Sequence, residues 1–161
     1  MRIVLILALI SITSLHAEPE YPRMGPDIYD TAIDGKALIS AALAQAKAEH
    51  KHVLVKFGAN WCIWCRRLHG MLEENPAVHT ALTKDYVLVQ VDVNHRSGKK
   101  RNEALIEQYG NPVRLGLPVL VVLDGDGKQL TTQDSAALED GKDAHDPVKV
   151  VAFLQQWAPK G

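Results

Sequence analysis

The chain has 161 residues and only two cysteines, set three apart in Trp61-Cys62-Ile63-Trp64-Cys65. An apolar run, Val53-Leu54-Val55-Lys56-Phe57, comes before them, and a segment of helical character, Arg66 to Leu72, follows. A strand, a short loop and a helix with Cys-x-x-Cys in its first turn is the layout of a dithiol/disulfide redox centre. Residues i and i+3 of a helix lie about 5–6 Å apart at Cβ, so a disulfide can open and close there with little backbone movement. The thiolate is the reactive form, and the unpaired N–H groups and positive dipole end of a helix start favour an anion. Cys62 is therefore expected to ionise below the ordinary thiol value of about 8.5, with Arg66, Arg67 and Lys56 adding positive potential.

Other uses of the pair are weaker. A static disulfide across so short a loop contributes only about 2 kcal/mol on the chain-entropy account. Haem attachment needs a His directly after the second cysteine, where Arg66 stands. Cys62, Cys65 and His69 could ligate zinc or copper(I) from one helix, but no fourth ligand is evident. Asp124 and Asp126 are spaced like calcium ligands, yet Lys128 takes the next ligand position, so they read as a turn.

The elements that must position the cysteines follow from periodicity. Helix formers dominate Lys36 to Glu49, with Ile39, Leu43 and Ala46 inward and Asp34 as cap. A strand is expected over 52–58, its only charge being Lys56, in a run that otherwise suits burial on both faces. A helix over 62–73 comes next, then a short turn from Pro76 to Leu82 and a β-branched strand over 86–93. Residues 95–101 form a basic loop read as a solvated face, and 102–109 a short helix stopped by Gly110. Pro118 to Leu123 is an apolar strand, joined through a turn at 124–127 to a strand over 128–132. Polar residues 133–145 read as loop. The last helix opens with Asp146 as cap and Pro147 at its first position. Val150, Phe153, Leu154 and Trp157 supply its core face. This order makes an α/β fold with a central mixed sheet flanked by helices.

The N-terminal residues read differently. Arg2, an apolar stretch from Ile3 to Ile10 continuing to Leu15, and a small residue at Ala17 make a secretory signal peptide over 1–17. The stretch is shorter than the roughly 20 apolar residues of a membrane span. Pro19, Pro22 and Pro26 then mark 18–35 as an extended lead-in to a domain over 36–161. Export to the periplasm, or otherwise out of the cytoplasm, supplies an oxidising setting in which a dithiol can work. A formal net charge of −1 gives no reason to expect a nucleic acid or an anionic membrane as partner.

At Trp61-Cys62-x-x-Cys65 after a strand, with Gly116-Leu117-Pro118 leading into a later one, the chain resembles the thioredoxin superfamily over roughly residues 36–160. The opening Gly58-Ala59-Asn60-Trp61-Cys62 resembles its exported, single-domain bacterial members. The resemblance implies a thioredoxin-like fold and a thiol–disulfide oxidoreductase, with Cys62 the exposed attacking thiol and Cys65 the resolving thiol. It implies a cis Pro118 facing the disulfide. Trp61, Trp64, Leu117 and Pro118 are the expected substrate-binding residues, and Lys56 and Arg66 the expected tuners of thiol ionisation. Two departures stand out: Lys56 occupies the position of the superfamily's buried Asp, and Ile63-Trp64 replaces Gly-Pro. The stretch from Cys62 to Pro118 is too short for the helical insertion of strong disulfide-forming relatives, which favours a reductase-type role. The expected partners are substrate protein thiols or disulfides and a membrane thiol electron donor, the protein being a monomer. No metal and no cofactor beyond the Cys62–Cys65 pair is expected. The alternative is a non-enzymatic module that binds copper, zinc or a partner protein.

Overall fold

In the computed structural model, residues 20–160 are described, so the expected signal peptide lies outside them. Four strands form one sheet in the order β2-β1-β3-β4, with β1 at His52–Gly58, β2 at Tyr86–Asp92, β3 at Val119–Leu123 and β4 at Gln129–Asp134. The β1–β2 pair is parallel and aligns Val55 with Val89. The β1–β3 and β3–β4 pairs are antiparallel. Five α-helices cover the sheet: α1 (Gly35–Glu49), α2 (Ile63–Glu74), α3 (Pro76–Asp85), α4 (Glu103–Gln108) and α5 (Pro147–Gln156).

Because side chains alternate along a strand, β1 feeds two cores. Val53, Val55 and Phe57 join Ile39, Ala42 and Ala46 of α1, Leu105 of α4, and Val119, Val121 and Leu123 of β3. Leu54 faces the other way, onto Leu68 and Leu72 of α2, Val78 and Leu82 of α3, and Phe153 and Leu154 of α5. A strand with both faces covered reads as a continuous apolar run, which is how residues 53–57 read. Lys56 lies on the α2 face and is fully buried.

Helix starts are fixed by side chains that satisfy otherwise orphaned N–H groups. Asp34 accepts from the N–H groups of Lys36 and Ala37, and Asn75 from those of Ala77 and Val78. Asp146 accepts from Val148 and Lys149, with Pro147 at the first helical position. The β3–β4 turn closes on Asp124, whose Oδ1 accepts from the N–H groups of Asp126 and Lys128. Gly127 supplies the positive φ of 86° there.

Several expectations are corrected. The helix expected over 62–73 runs one residue later, because Cys62 is its cap. The turn expected from Pro76 to Leu82 is a full helix to Asp85. The loop expected over 133–145 contains a 3-10 helix, Ser135–Leu138, and a bridge between Glu139 and His145, which bury Ser135, Leu138 and His145. Trp157 is half-buried at the end of α5, where it leans on the second core instead of sitting inside it. The basic loop is solvated only as far as Lys100. Arg101 is half-buried in ion pairs with Glu20 at 2.8 Å and Asp92 at 3.1 Å.

Replacing Asp146 by Ala should cost about 1 kcal/mol, the usual worth of such a cap. It would be read as a lower urea midpoint with an unchanged slope.

Candidate functional site

Cys62 and Cys65 form a disulfide with their Cα atoms 5.2 Å apart. Cys62 is the cap of α2, and its Sγ accepts a hydrogen bond from the Cys65 N–H at 3.1 Å. The upstream sulfur thus sits where the helix presents its unpaired donors and positive dipole end. Cys62 Sγ also lies 3.6 Å from the carbonyl oxygen of Leu117, and the Leu117–Pro118 bond is cis. The expectation that Cys62 is exposed needs correction: it is 6% exposed, against 0% for Cys65. Trp61, Trp64, Leu117 and Ile28 pack over the two cysteines and leave only this sliver of the first open.

The two tryptophans have partners of their own. Trp61 donates its Nε1–H to Asn94 Oδ1 at 2.6 Å, with the His95 ring edge-on and the Arg96 guanidinium 3.7 Å from its ring centre. Trp64 meets the buried His145 edge-on and carries the Arg67 guanidinium 4.5 Å from its ring centre. Arg96 and Arg67 so flank the site with fixed positive charge.

Arg66 is placed differently from its expected role at the thiols. Its Nε donates to the Asn60 carbonyl at 3.0 Å and its Nη1 to the Pro26 carbonyl at 2.8 Å, tying the N-terminal segment to the site. Asn60, fully buried just ahead of Trp61, does the same with its side chain. Its Oδ1 accepts from the N–H groups of Ile28 and Tyr29, both at 2.8 Å. Its Nδ2 donates to the Tyr29 carbonyl at 2.9 Å and the Tyr21 hydroxyl at 2.8 Å. Glu20 adds an ion pair with Arg101 and a hydrogen bond from Asn94.

Lys56 lies beneath the disulfide. Its Nζ donates to the Cys65 carbonyl at 3.4 Å and stands 5.0 Å from the centre of the Tyr29 ring. Burial disfavours the ammonium form and pushes its pKa down to about 7, while the Glu73 carboxylate pulls the other way. Tyr29 and Asn60 were not legible as site residues. The available signal was Ile28-Tyr29, an apolar pair inside a proline-rich segment.

Among the described residues, no group of three His, Cys, Asp or Glu side chains could hold a metal ion. The candidate ligand His69 has its Nδ1 buried without a hydrogen-bond partner.

A sheet of this order with a capped Cys-x-x-Cys helix and an apposed cis proline defines a class of proteins. Residues 36–125 match the family model described as thioredoxin-like, and the chain belongs to that family. It is 32% identical over 95 residues to the disulfide bond reductase DsbH of Chlamydia pneumoniae, covering 55% of each chain. It is 28% identical over 127 residues to the thiol:disulfide interchange protein DsbD of Pseudomonas fluorescens, covering 79% of this chain and 19% of that one. The chain therefore spans about half the length of the first relative and a fifth of the second. Among solved structures, a disulphide isomerase from Xylella fastidiosa superposes with a TM-score of 0.70 at 30% identity, covering 81% of this chain and 96% of that one. The oxidised C-terminal domain of Neisseria meningitidis DsbD superposes with a TM-score of 0.55 at 25% identity, covering 81% and 98%.

Lys56 yields a signed prediction. Unfolded, its amine titrates near the ordinary 10.5, and folded near 7. Between those values the unfolded chain binds more protons, so stability rises with pH. The penalty of burying Lys56 is full below about pH 7 and fades toward 10.5. In the disulfide form, Lys56→Met should raise stability on the order of 3 kcal/mol at pH 6. The gain should shrink steadily toward pH 10, followed by urea unfolding across that range.

Proposed function

We propose that this protein is an exported, periplasmic thiol–disulfide oxidoreductase that exchanges the Cys62–Cys65 pair with thiols of substrate proteins, chiefly as a reductase. The observation that carries the reading is the closed Cys62–Cys65 pair at the start of α2, with Cys62 the sulfur of the pair that keeps an opening to solvent. The likeness to thiol:disulfide interchange proteins supports the exchange chemistry, the likeness to a disulfide bond reductase supports the direction, and the apolar N-terminal stretch of the sequence supports export.

In the reductive direction, the Cys62 thiolate attacks one sulfur of a substrate disulfide. That S–S bond breaks, its electron pair leaves on the second substrate sulfur, and water protonates the departing thiolate. Cys65 then gives up its proton and attacks Cys62 Sγ. The mixed disulfide breaks, substrate departs fully reduced, and the protein is left as the disulfide. Lys56 takes the Cys65 proton: its amine lies against that residue, and a pKa near 7 lets it both accept and return a proton at neutral pH. Trp61, Trp64 and Leu117 form the surface on which substrate chain lies beside the sulfurs, and cis Pro118, itself buried, positions the Leu117 carbonyl there. A membrane thiol protein restores the dithiol, and no other cofactor takes part.

Dithiol-charged wild type should reduce a protein disulfide, and Cys62→Ala and Cys65→Ala should both fall to background. Cys65→Ala should also accumulate mixed disulfides through Cys62, seen on non-reducing gels. A Cys65→Ala protein that traps nothing would sink the reading. Equilibration with glutathione should give a potential nearer the about −270 mV of thioredoxin than the about −120 mV of a strong oxidant.

A further inference from the structure

The Tyr29 hydroxyl is fully buried and has no hydrogen-bond partner in the disulfide form. Such an orphaned donor is expensive and demands an explanation. Its surroundings offer one. Tyr29 packs directly on Cys62 and Cys65 as the one fully buried aromatic ring of that cluster. Gly58, at the end of β1, lies under both groups: a Cβ placed there would collide with the Tyr29 hydroxyl and stand 2.7 Å from Cys65 Sγ. Only glycine therefore lets the hydroxyl and the resolving sulfur share that space. Two hydrogen bonds with the Asn60 side chain fix the Tyr29 backbone, its N–H donating to Oδ1 and its carbonyl accepting from Nδ2, so the ring is held in place independently of the sulfur.

A disulfide sulfur is a poor acceptor, whereas a thiolate is a good one. We infer that Tyr29 is a catalytic residue of the resolving half-reaction, its hydroxyl donating a hydrogen bond to Cys65 Sγ once the disulfide opens. This inference rests on the oxidoreductase reading given above. The electron balance is that of the reaction already written. Two electrons entering the S–S bond produce two sulfur anions, and Tyr29 O–H stabilises the one at Cys65 without transferring its own proton. Burial and the Asp92 carboxylate hold the Tyr29 hydroxyl well above its ordinary pKa, so it remains a donor. Lys56 from β1 stands over the Tyr29 ring, and His69 and Glu73 of α2 and His145 of the loop before α5 lie within electrostatic range of its amine.

The hydroxyl thus costs stability in the oxidised protein and returns it in the reduced one. Tyr29→Phe keeps the ring and removes only the donor. In the disulfide form it should be as stable as wild type or more so, and in the dithiol form less stable, by urea unfolding of each state. Its dithiol/disulfide equilibrium constant against glutathione should move about tenfold toward the disulfide. The rate at which Cys65 releases glutathione from a Cys62–glutathione mixed disulfide should fall by a similar factor. In a Cys65→Ser background, the rate of the first attack by Cys62 should not change. Equal stability changes in both redox states, or an unmoved equilibrium constant, would overturn the role of Tyr29 while leaving the oxidoreductase reading intact. Wild type that exchanges no disulfide with glutathione would instead remove the reading on which the inference rests.

Discussion

The alternation of side chains along β1 is the constraint on which the site is built. Three positions, Val53, Val55 and Phe57, commit one face of the strand to the core under α1. The same alternation sends Leu54, Lys56 and Gly58 to the opposite face, below α2. With β2 parallel on one side and β3 antiparallel on the other, the strand cannot slip by a residue without turning its apolar set outward. The register thereby brings one amine and one missing side chain under Cys65. Lys56 supplies a polar group and Gly58 supplies room. Moving either to the other face would exchange them for valine or phenylalanine, and the space under the disulfide would be plain hydrocarbon.

The components of that space oppose one another energetically. Lys56 is costly to bury as a cation, and the Tyr29 hydroxyl is costly to bury without an acceptor. Both are retained beside two clusters of apolar side chains. A polar group that is poorly satisfied in one covalent state of its neighbour and well satisfied in another biases the choice between those states. The cap of α2 works in the same sense from the other end, since the Cys65 N–H already points at Cys62 Sγ before any thiolate exists there. The fold thus arranges donors around both sulfurs.

Much of this architecture was legible in the chain itself. Asp34, Asp146 and Pro147 announced their helices because capping is a local matter of a few bonds. The apolar runs 53–57 and 119–123 announced buried strands because a strand covered on both faces loses its alternation. The cysteine pair and Leu117-Pro118 were legible as types and spacing, and the fold sets them 3.6 Å apart from Cys62 Sγ to the Leu117 carbonyl. What stayed hidden depended on long-range packing. The insertion of Tyr29 across 31 residues of sequence to meet Asn60 leaves no periodic trace. The burial of His145 arises from a bridge to Glu139 inside a segment that composition marks as loop. The exposure of Cys62 was overstated because two tryptophans and Ile28 close over it, and sequence spacing cannot say which way an indole ring leans.

Asn60 commits both ends of its side chain to the N-terminal segment and sits two residues ahead of Cys62. Its backbone carbonyl is held in turn by Arg66, whose other nitrogen grips Pro26. The loop that carries the first cysteine is consequently laced to the stretch from Tyr21 to Tyr29, and neither can shift without dragging the other. The entry to the sulfurs is therefore tied to that leading stretch, so a force applied to the one is transmitted to the other.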